Sequence, residues 1–551
     1  MNRRRKPTIP EFKQKPGVLF QPEVHLRMQK GINQIVDAIR PTLGPRPRLV
    51  AVEKIPRAKS PELLDNGGLI ARRIIDLKDP DENMGAMFIR GALWRLYEKV
   101  GDGTASAAVM FQSVFNQGLR YVAAGGNSML LRGYLEEGLK VILAALDEMV
   151  TPVTSQEMLR RVALSVCYDD ELAQIMGEIF TLIGEFGILQ IQSGRSRVIE
   201  REFIEGSYWS GGLHSKEMIR DIPRQRTHFE DAAILLTDME IQETDQIVPV
   251  LRAAVQAQIQ SLFIMASQVS DKVQGVMAVN QKANSLQVVA VKTPGLRQDD
   301  QMMALEDLAV LTGGHCFFKA TGDTLDKVTP ESFGIARKIW ADMNYMGVVG
   351  GKNDPLLRRE QIEKLRRGYD LAEEPEMRKR FRDRIGRLYS GAAALWMGGM
   401  TESEINVRKE LAQRTADTLR VAINKGVVVG GGVSLLECQS ALRAQMGDNL
   451  DPDAQAAYRI LKSALEAPFR TILSNAGYTS GAILDMIEQA NCGCVFDVLT
   501  GEVVEASQSG IYDVAAVQKE AAFSAIQSAA LALTIDTVIH RKKPPVVTEP
   551  D

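Results

Sequence analysis

A change of hydrophobic period in the middle of the chain constrains its fold more than any other feature. From residue 23 to about 150, and again beyond 401, apolar residues recur at helical spacing. Between about 205 and 318 they form short runs instead, at 233–236, 262–265, 288–291 and 316–318, separated by helix-like stretches. Short apolar runs alternating with helical segments predict strand–helix units of an α/β domain. A chain of 551 residues also exceeds what one hydrophobic core usually organises. The expected architecture is therefore multidomain and nested, with helical segments before and after a central α/β insert.

Local signals sharpen this layout. Turn-rich breaks at Gly44-Pro45-Arg46-Pro47, Asn66-Gly67-Gly68 and Gly101-Asp102-Gly103 divide the first helical region. Thr154-x-x-Glu157 and Thr401-x-x-Glu404 have the capping-box pattern, and the second opens a helix expected to run to Lys425 and stop at Gly426. Leu172, Ile175, Met176, Ile179 and Ile183 mark one buried helical stripe, with Asp169 and Asp170 at its start. Residues 353–388 are highly charged at helical period and predict a solvated helical pair. Residues 1–17 and 541–551 read as tails.

Composition removes several functions. With 66 basic and 69 acidic residues the net charge is −3, which gives no reason to expect a nucleic-acid partner. No run of about 20 apolar residues predicts a membrane span, and no apolar stretch follows the basic start as in a secretory signal. Five scattered cysteines fit a reducing, cytoplasmic setting. Cys492 and Cys494 form a lone C-x-C with no second cluster at zinc spacing, and His315 beside Cys316 reads as core. The sequence holds no G-x-x-x-x-G-K-[ST], H-E-x-x-H or G-x-S-x-G motif, so an unrelated enzyme has little support.

Gly101-Asp102-Gly103-Thr104 precedes a helix expected to begin near Ala105. Glycines let a backbone approach phosphates, and a helix N-terminus offers free N–H donors to them. Asp102 can hold Mg²⁺, and Thr104 and Ser106 can donate hydroxyls. On the tetrapeptide alone, a tight turn ending in an N-cap explains the same residues.

Over residues 17–544 the sequence resembles the group I chaperonin (GroEL) family. The matching stretches occur in family order: Thr42-Leu43-Gly44-Pro45, Glu82-Asn83-Met84-Gly85-Ala86, Gly101-Asp102-Gly103-Thr104, Val122-Ala123-Ala124-Gly125, Val291-Lys292-Thr293-Pro294-Gly295, Leu311-Thr312-Gly313-Gly314, Gly426-Val427-Val428 leading into Gly430-Gly431-Gly432, and Glu466-Ala467-Pro468. The resemblance implies an equatorial domain (18–148 and 425–540), an intermediate domain (149–204 and 392–424) and an apical domain (205–391). It implies ATP and Mg²⁺ as ligands, non-native polypeptides as partners, a homo-oligomeric ring of seven subunits, and a co-chaperonin lid as a candidate partner. It places Thr42, Gly44 and Pro45 around the phosphates and adenine, Gly101, Asp102, Gly103, Thr104 and Ser106 on the phosphates and metal, Gly431 in the pocket and Asp513 on the ribose.

The departures from the family bear on catalysis. Where the family carries Lys-Asp-Gly, this chain has Asp65-Asn66-Gly67; a one-residue insertion would put Asp65 in the carboxylate position instead. Pro47 replaces a family glycine and removes an N–H. The family's water-orienting aspartate aligns with Arg414, and Asp417 lies one turn later as the alternative acid. Arginine stays protonated and only donates. The expectation is ATP binding with hydrolysis weak or lost.

For the apical surface, the resemblance aligns Leu213, Ser215, Glu217, Met218, Val248, Leu251, Gln274, Ala278 and Val279 with a polypeptide-binding groove, of which Leu213, Met218, Val248, Leu251 and Val279 are the apolar contacts. The same residues also read as the buried sides of amphipathic helices. Glu217 and Gln274 make the groove more polar than the family's. Two functions follow: a chaperone that binds non-native chains, or a non-catalytic scaffold ring protein derived from one. Val18-Leu19-Phe20 reads as an apolar edge strand suited to pairing with another chain.

Overall fold

The computed structural model describes residues 17–540 except 46, 54–60, 195, 283–285, 353, 390, 447–450 and 491–492. Both expected tails, apart from Gly17, and Cys492 lie outside the described residues. The chain divides into two compact units, one built from residues 1–154 and 421–551, the other from 155–420.

The first unit begins with α1 (Glu23–Ile39), α2 (Gly67–Arg73), α3 (Pro80–Val100), α4 (Thr104–Ala123) and α5 (Ser128–Glu148). Two glycines explain how closely α1 and α3 pack. A Cβ on Gly31 would fall 1.8 Å from the Glu82 carbonyl oxygen, and one on Gly85 would fall 2.2 Å from that of Met28. Backbones meet directly there, so the Glu82–Ala86 stretch owes its glycine to packing.

The second unit holds α6 (Gln156–Cys167) and α7 (Asp170–Ile183), then α8 (Thr244–Gln256), α9 (Asp271–Lys282), α10 (Gln298–Thr312), α11 (Pro355–Leu371) and α12 (Pro375–Tyr389) around a mixed sheet. Strand order in that sheet is Gln287–Lys292, Ser261–Ala266, Thr227–Thr237, Gly334–Ala341, Tyr345–Gly351, Ser207–Ser210, with Cys316–Phe317 also paired to Thr227–Thr237. The four expected runs are all strands and pair in parallel, with Leu262 opposite both Ala233 and Val288, and Cys316 opposite Leu236. A separate three-stranded sheet pairs Gly391–Met397 with Ile188–Ser193 and Glu200–Glu205.

Two local expectations need correction. Helix α6 is capped by Ser155, whose Oγ accepts from Met158 N at 3.2 Å, so Thr154 is not its cap. The pair α11 and α12 is more than solvated surface. Each buries a short apolar strip, and buried Asp307 of α10 takes Arg384 of α12 in a two-pronged contact (2.8 Å each) and Gln361 of α11 at 3.1 Å.

The chain continues through α13 (Glu402–Lys425) and closes the first unit with α14 (Val433–Met446), α15 (Pro452–Ala476), α16 (Ser480–Gln489), α17 (Ala506–Ser509) and α18 (Ala515–Ala532). Thr401 caps α13 through Glu404 N, and Gly426 ends it with φ +74°. The core of this unit is shared by α1, α3, α4, α5, α14, α15 and α18. The apolar strand Val18–Phe20 pairs antiparallel with Thr537–Ile539.

Candidate functional site

The first unit gathers the predicted ligand-binding residues on turns braced by α15 and α18. Gly101 ends α3 at φ +76° and Gly103 precedes α4 at φ +78°. Both lie in the left-handed region that glycine enters without steric cost. A Cβ on Gly103 would also stand 2.7 Å from the Val517 side chain on α18.

Capping separates α4 from five other helices that are capped by a side chain. Helices α2, α3, α5, α6 and α7 each start on a side chain that accepts first-turn N–H groups: Asn66, Asp79, Asn127, Ser155 and Asp169. Helix α4 starts on Gly103 and has no side-chain cap. Its first-turn donors and the positive end of its dipole thus lack the acceptor that those five helices carry, as do those of α1, α10, α16, α17 and α18; what distinguishes α4 is the glycine-flanked Asp102 turn at its start. Thr104 and Ser106 are buried in that turn. Gly67 comes up against it: a Cβ there would lie 3.0 Å from Thr104 Oγ1 and 3.4 Å from Ala105 N. Asn66, standing where the family has an acid, caps α2 by accepting from Gly68 N (2.9 Å) and Leu69 N (3.2 Å). Asp65 beside it is half-buried.

A second wall is the glycine triplet. Gly431 and Gly432 adopt φ of +65° and +82°, and a Cβ on Gly432 would lie 3.0 Å from Phe469 N on α15. Asp513 sits opposite Val428 in the short antiparallel pair beside this turn. Its Oδ2 accepts from Gln518 Nε2 at 2.8 Å. Burial, and next the negative charge of Asp102, push the Asp513 carboxyl up to about 7, while the Gln518 amide and the Gly432 N–H pull it back. Asp102 and Asp513, far apart in sequence, are therefore within electrostatic reach of each other.

The third wall is the Thr42–Pro45 turn. Thr42 Oγ1 donates to Ile39 O at 2.8 Å. Gly44, at φ +114°, lies against Ile472 of α15. Asn475 Nδ2 ties the turn to α15 by donating to Arg40 O (2.9 Å) and Leu43 O (2.8 Å). Helix α15 is thus a common support for Gly44 and Gly432, as α18 is for Gly103 and Asp513. Sequence reading missed Phe469, Asn475 and Gln518. The Glu466-Ala467-Pro468 motif marked α15, but nothing near Gln518 signalled its contact.

Two carboxylates within electrostatic reach, beside an uncapped helix start and several left-handed glycine turns, make a specific chemical environment. A divalent cation would relieve the acid pair, and an oxyanion would satisfy the helix donors. The residues present fit a metal-bound phosphate.

In the second unit, Arg414 Nη2 points at Val166 O (3.5 Å), at the C-terminal end of α6, where a cation is favoured by the helix dipole. Burial pushes the neighbouring Cys167 thiol up to about 11. Asp417 is already engaged: Arg420 Nη1 donates to it at 3.1 Å, Gln413 Nε2 at 3.0 Å, and Arg382 lies at 3.6 Å. Arg420 is buried, and desolvation lowers its guanidinium to about 10. Asp417 is its counter-ion.

The apolar surface on this unit is narrower than expected. Leu213 is fully buried, bridged to Val291, and Met218 is 6% exposed with its sulfur on Ala290 N. Both belong to the sheet core and cannot present an open face here. Val248 is exposed on α8 and Leu251 half-buried beside it; the side chain of Val279 lies outside the described residues. Val255, two turns beyond Val248, is 62% exposed and was not anticipated. Glu217 is exposed, and Gln274 turns inward to donate to Val269 O at 2.9 Å.

Residues 35–543 match the TCP-1/cpn60 chaperonin family, and the chain belongs to that family. Among solved structures it is similar to the chaperonin gp146 from bacteriophage EL 2 (Pseudomonas aeruginosa), crystallised in presence of ATP-BeFx. In one crystal form the TM-score is 0.65 at 17% identity, covering 96% of this chain and 99% of that one. In a second crystal form the TM-score is 0.59 at the same identity and coverage. The fold is thus a chaperonin fold, with a mainly helical unit and an α/β unit. No helix among the described residues is long and apolar enough to cross a membrane.

Proposed function

We propose that this chain is a cytoplasmic chaperonin ring subunit that binds ATP with Mg²⁺ in the first unit, hydrolyses it weakly or not at all, and assists non-native polypeptides. The observation that carries the ligand is the uncapped start of α4 beside the Asp102–Asp513 acid pair. In this reading Asp102 holds the metal. Gly101, Gly103, Thr104, Ser106, Thr42 and Gly44 receive the phosphates. Gly431, Pro45 and Asp513 surround the nucleoside. Bound Mg²⁺ would neutralise phosphate charge. The chain's own part is to orient the triphosphate on the α4 donors and exclude side chains at the glycine turns.

Weak hydrolysis follows where Asn66 and Arg414 stand at the family's acidic positions, with half-buried Asp65 the other acid beside the site. Asn66 is a neutral cap, Arg414 only donates, and Asp417 is held by Arg420 and Arg382. A positioned general base contributes about 10²–10⁴-fold in rate.

We assign 149–204 and 392–424 to an intermediate domain and 205–391 to an apical domain; the sheet that pairs residues 391–397 with 188–193 and 200–205 joins the two parts of the former. Polypeptides would bind along Val248, Leu251 and Val255. A co-chaperonin lid, where one serves this ring, would meet the same surface. Ring closure into seven subunits would use the Val18–Phe20 and Thr537–Ile539 pair, where Phe20 and Ile539 project 64% and 66% exposed.

Calorimetric titration of the purified chain with Mg-ATP tests the ligand: saturable binding is expected, with phosphate release far below family rates. No binding would end this reading. A scaffold function is the alternative, favoured by the burial of Leu213 and Met218. Suppression of aggregation of a denatured client at near-stoichiometric amounts separates the two, since a scaffold would leave aggregation unchanged.

A further inference from the structure

Away from the glycine turns, the first unit holds a cavity of about 320 Å³ between α4 and α15. Its size lies at the lower end of small-molecule sites, which run from roughly 300 to 1,000 Å³. Arginines reach it from three elements: Arg40 beyond the end of α1, Arg120 on α4 and Arg470 on α15. The rest of its polar lining is amide and hydroxyl, and no carboxylate lines it.

The hydrogen bonding leaves donors in excess. Gln117 Nε2 donates to both Ser113 Oγ (3.2 Å) and Ser463 Oγ (2.5 Å). Both serines are half-buried. Arg40 contacts Gln112 Oε1 and lies 3.6 Å from Asp37, yet its Nε is buried without a partner. Glu466, outside the lining, engages Arg470 at 2.8 Å. Arg120 is exposed and forms no ion pair among the described residues.

Three arginines served by two carboxylates, Asp37 and Glu466, leave one net positive charge and a buried Arg40 Nε donor at a solvent-accessible cavity, which an anion would satisfy. The partner that suits them is a multivalent oxyanion, because guanidinium forks match phosphate oxygens in pairs. We propose that this cavity is a second anion site, distinct from the glycine-turn site, that takes a phosphate-bearing small solute.

The test uses the full chain and two probes, orthophosphate and pyrophosphate, titrated by calorimetry at constant ionic strength. Pyrophosphate could also occupy the glycine turns, so the titration is repeated with those turns saturated by a non-hydrolysable ATP analogue and on a Thr104→Val variant. The expected result is pyrophosphate binding that survives both controls and weakens about tenfold or more in R120Q and in R40Q. Orthophosphate binding of equal strength would identify a single-phosphate solute, and preference for pyrophosphate a diphosphate. Binding that disappears under the ATP analogue, or R120Q and R40Q variants that bind like the parent, would overturn the second site while leaving the ATP reading intact. A change in sedimentation of R120Q with no pyrophosphate binding by the parent would likewise overturn it, in favour of contact with another copy of the chain. Failure of the ATP analogue to bind would show up separately, as a fault in the nucleotide reading.

Discussion

The first turn of α4 and the middle of α13 both match the family's helical framework, yet they have fared differently. Around α4 the residues expected to hold ligand are present, and the structure gives each a reason: positive φ at Gly101 and Gly103, an uncapped helix start, and Asp102 acting on Asp513. Along α13 the helix, its Thr401 cap and its Gly426 stop are intact, while the position expected to carry an acid carries Arg414. A framework can be retained while one chemical group on it is replaced, and under the proposed function binding and turnover would then separate. The most direct way to break this comparison is Arg414→Asp. It should raise phosphate release about 10²–10⁴-fold with ATP affinity nearly unchanged. A flat rate with intact binding would mean that the acid is not what the chain lacks.

Next in size is the loss at the other region. Asp102→Asn keeps the shape and removes the charge proposed to hold Mg²⁺. Losing an ionic contact of about 1.5–3 kcal/mol weakens Mg-ATP binding by about 10–100-fold. Titration of the parent and variant with and without Mg²⁺ checks it, since the variant should also lose most of its metal dependence. Asp417→Asn gives the converse: ATP binding and turnover should not move, but buried Arg420 would lose its counter-ion. Asp417 is about half exposed, so screening limits the cost to about 1–2 kcal/mol, read as a lower melting temperature. A fall in turnover instead would make Asp417 the catalytic acid.

Much of this was visible in the sequence, for physical reasons that differ by element. The strands at 233–236, 262–265 and 288–291 were legible because they are buried on both faces and read as continuous apolar runs. Gly334–Ala341 was not, because Arg337 and Lys338 interrupt its apolar residues on the way to its antiparallel partners. Tyr345–Gly351 was hidden by its three glycines. At the site, glycine-bearing turns announced themselves, whereas Gln518 and Asn475 act through contacts that only the packing of α18 and α15 creates. Leu213 and Met218 were misjudged because an apolar residue looks the same in sequence whether its face is open or covered by a sheet.

The last expected effect concerns pH, where one acid in each unit moves in opposite directions. Glu157 in α6 is held down to about 2, first by its hydrogen bonds from Arg160 and Arg161. Its contribution is present above the unfolded value near 4.5 and is lost as pH falls through 2; being exposed, it counts for little. Asp513 is raised to about 7, so the folded chain binds its proton more tightly than the unfolded chain does. That contribution is complete below about 4 and disappears as pH rises through 7. The ligand-free chain should therefore lose thermal stability from pH 5 to 8, and Asp513→Asn should flatten that slope. Mg-ATP replaces the repulsion from Asp102 with a cation, which favours ionised Asp513. Binding near pH 6 should then release a proton, measurable as a dependence of binding heat on the buffer's ionisation enthalpy. An unchanged slope in the variant would mean that burial beside Asp102 does not hold the Asp513 carboxyl up, and the feature that distinguishes the first region from the second would dissolve.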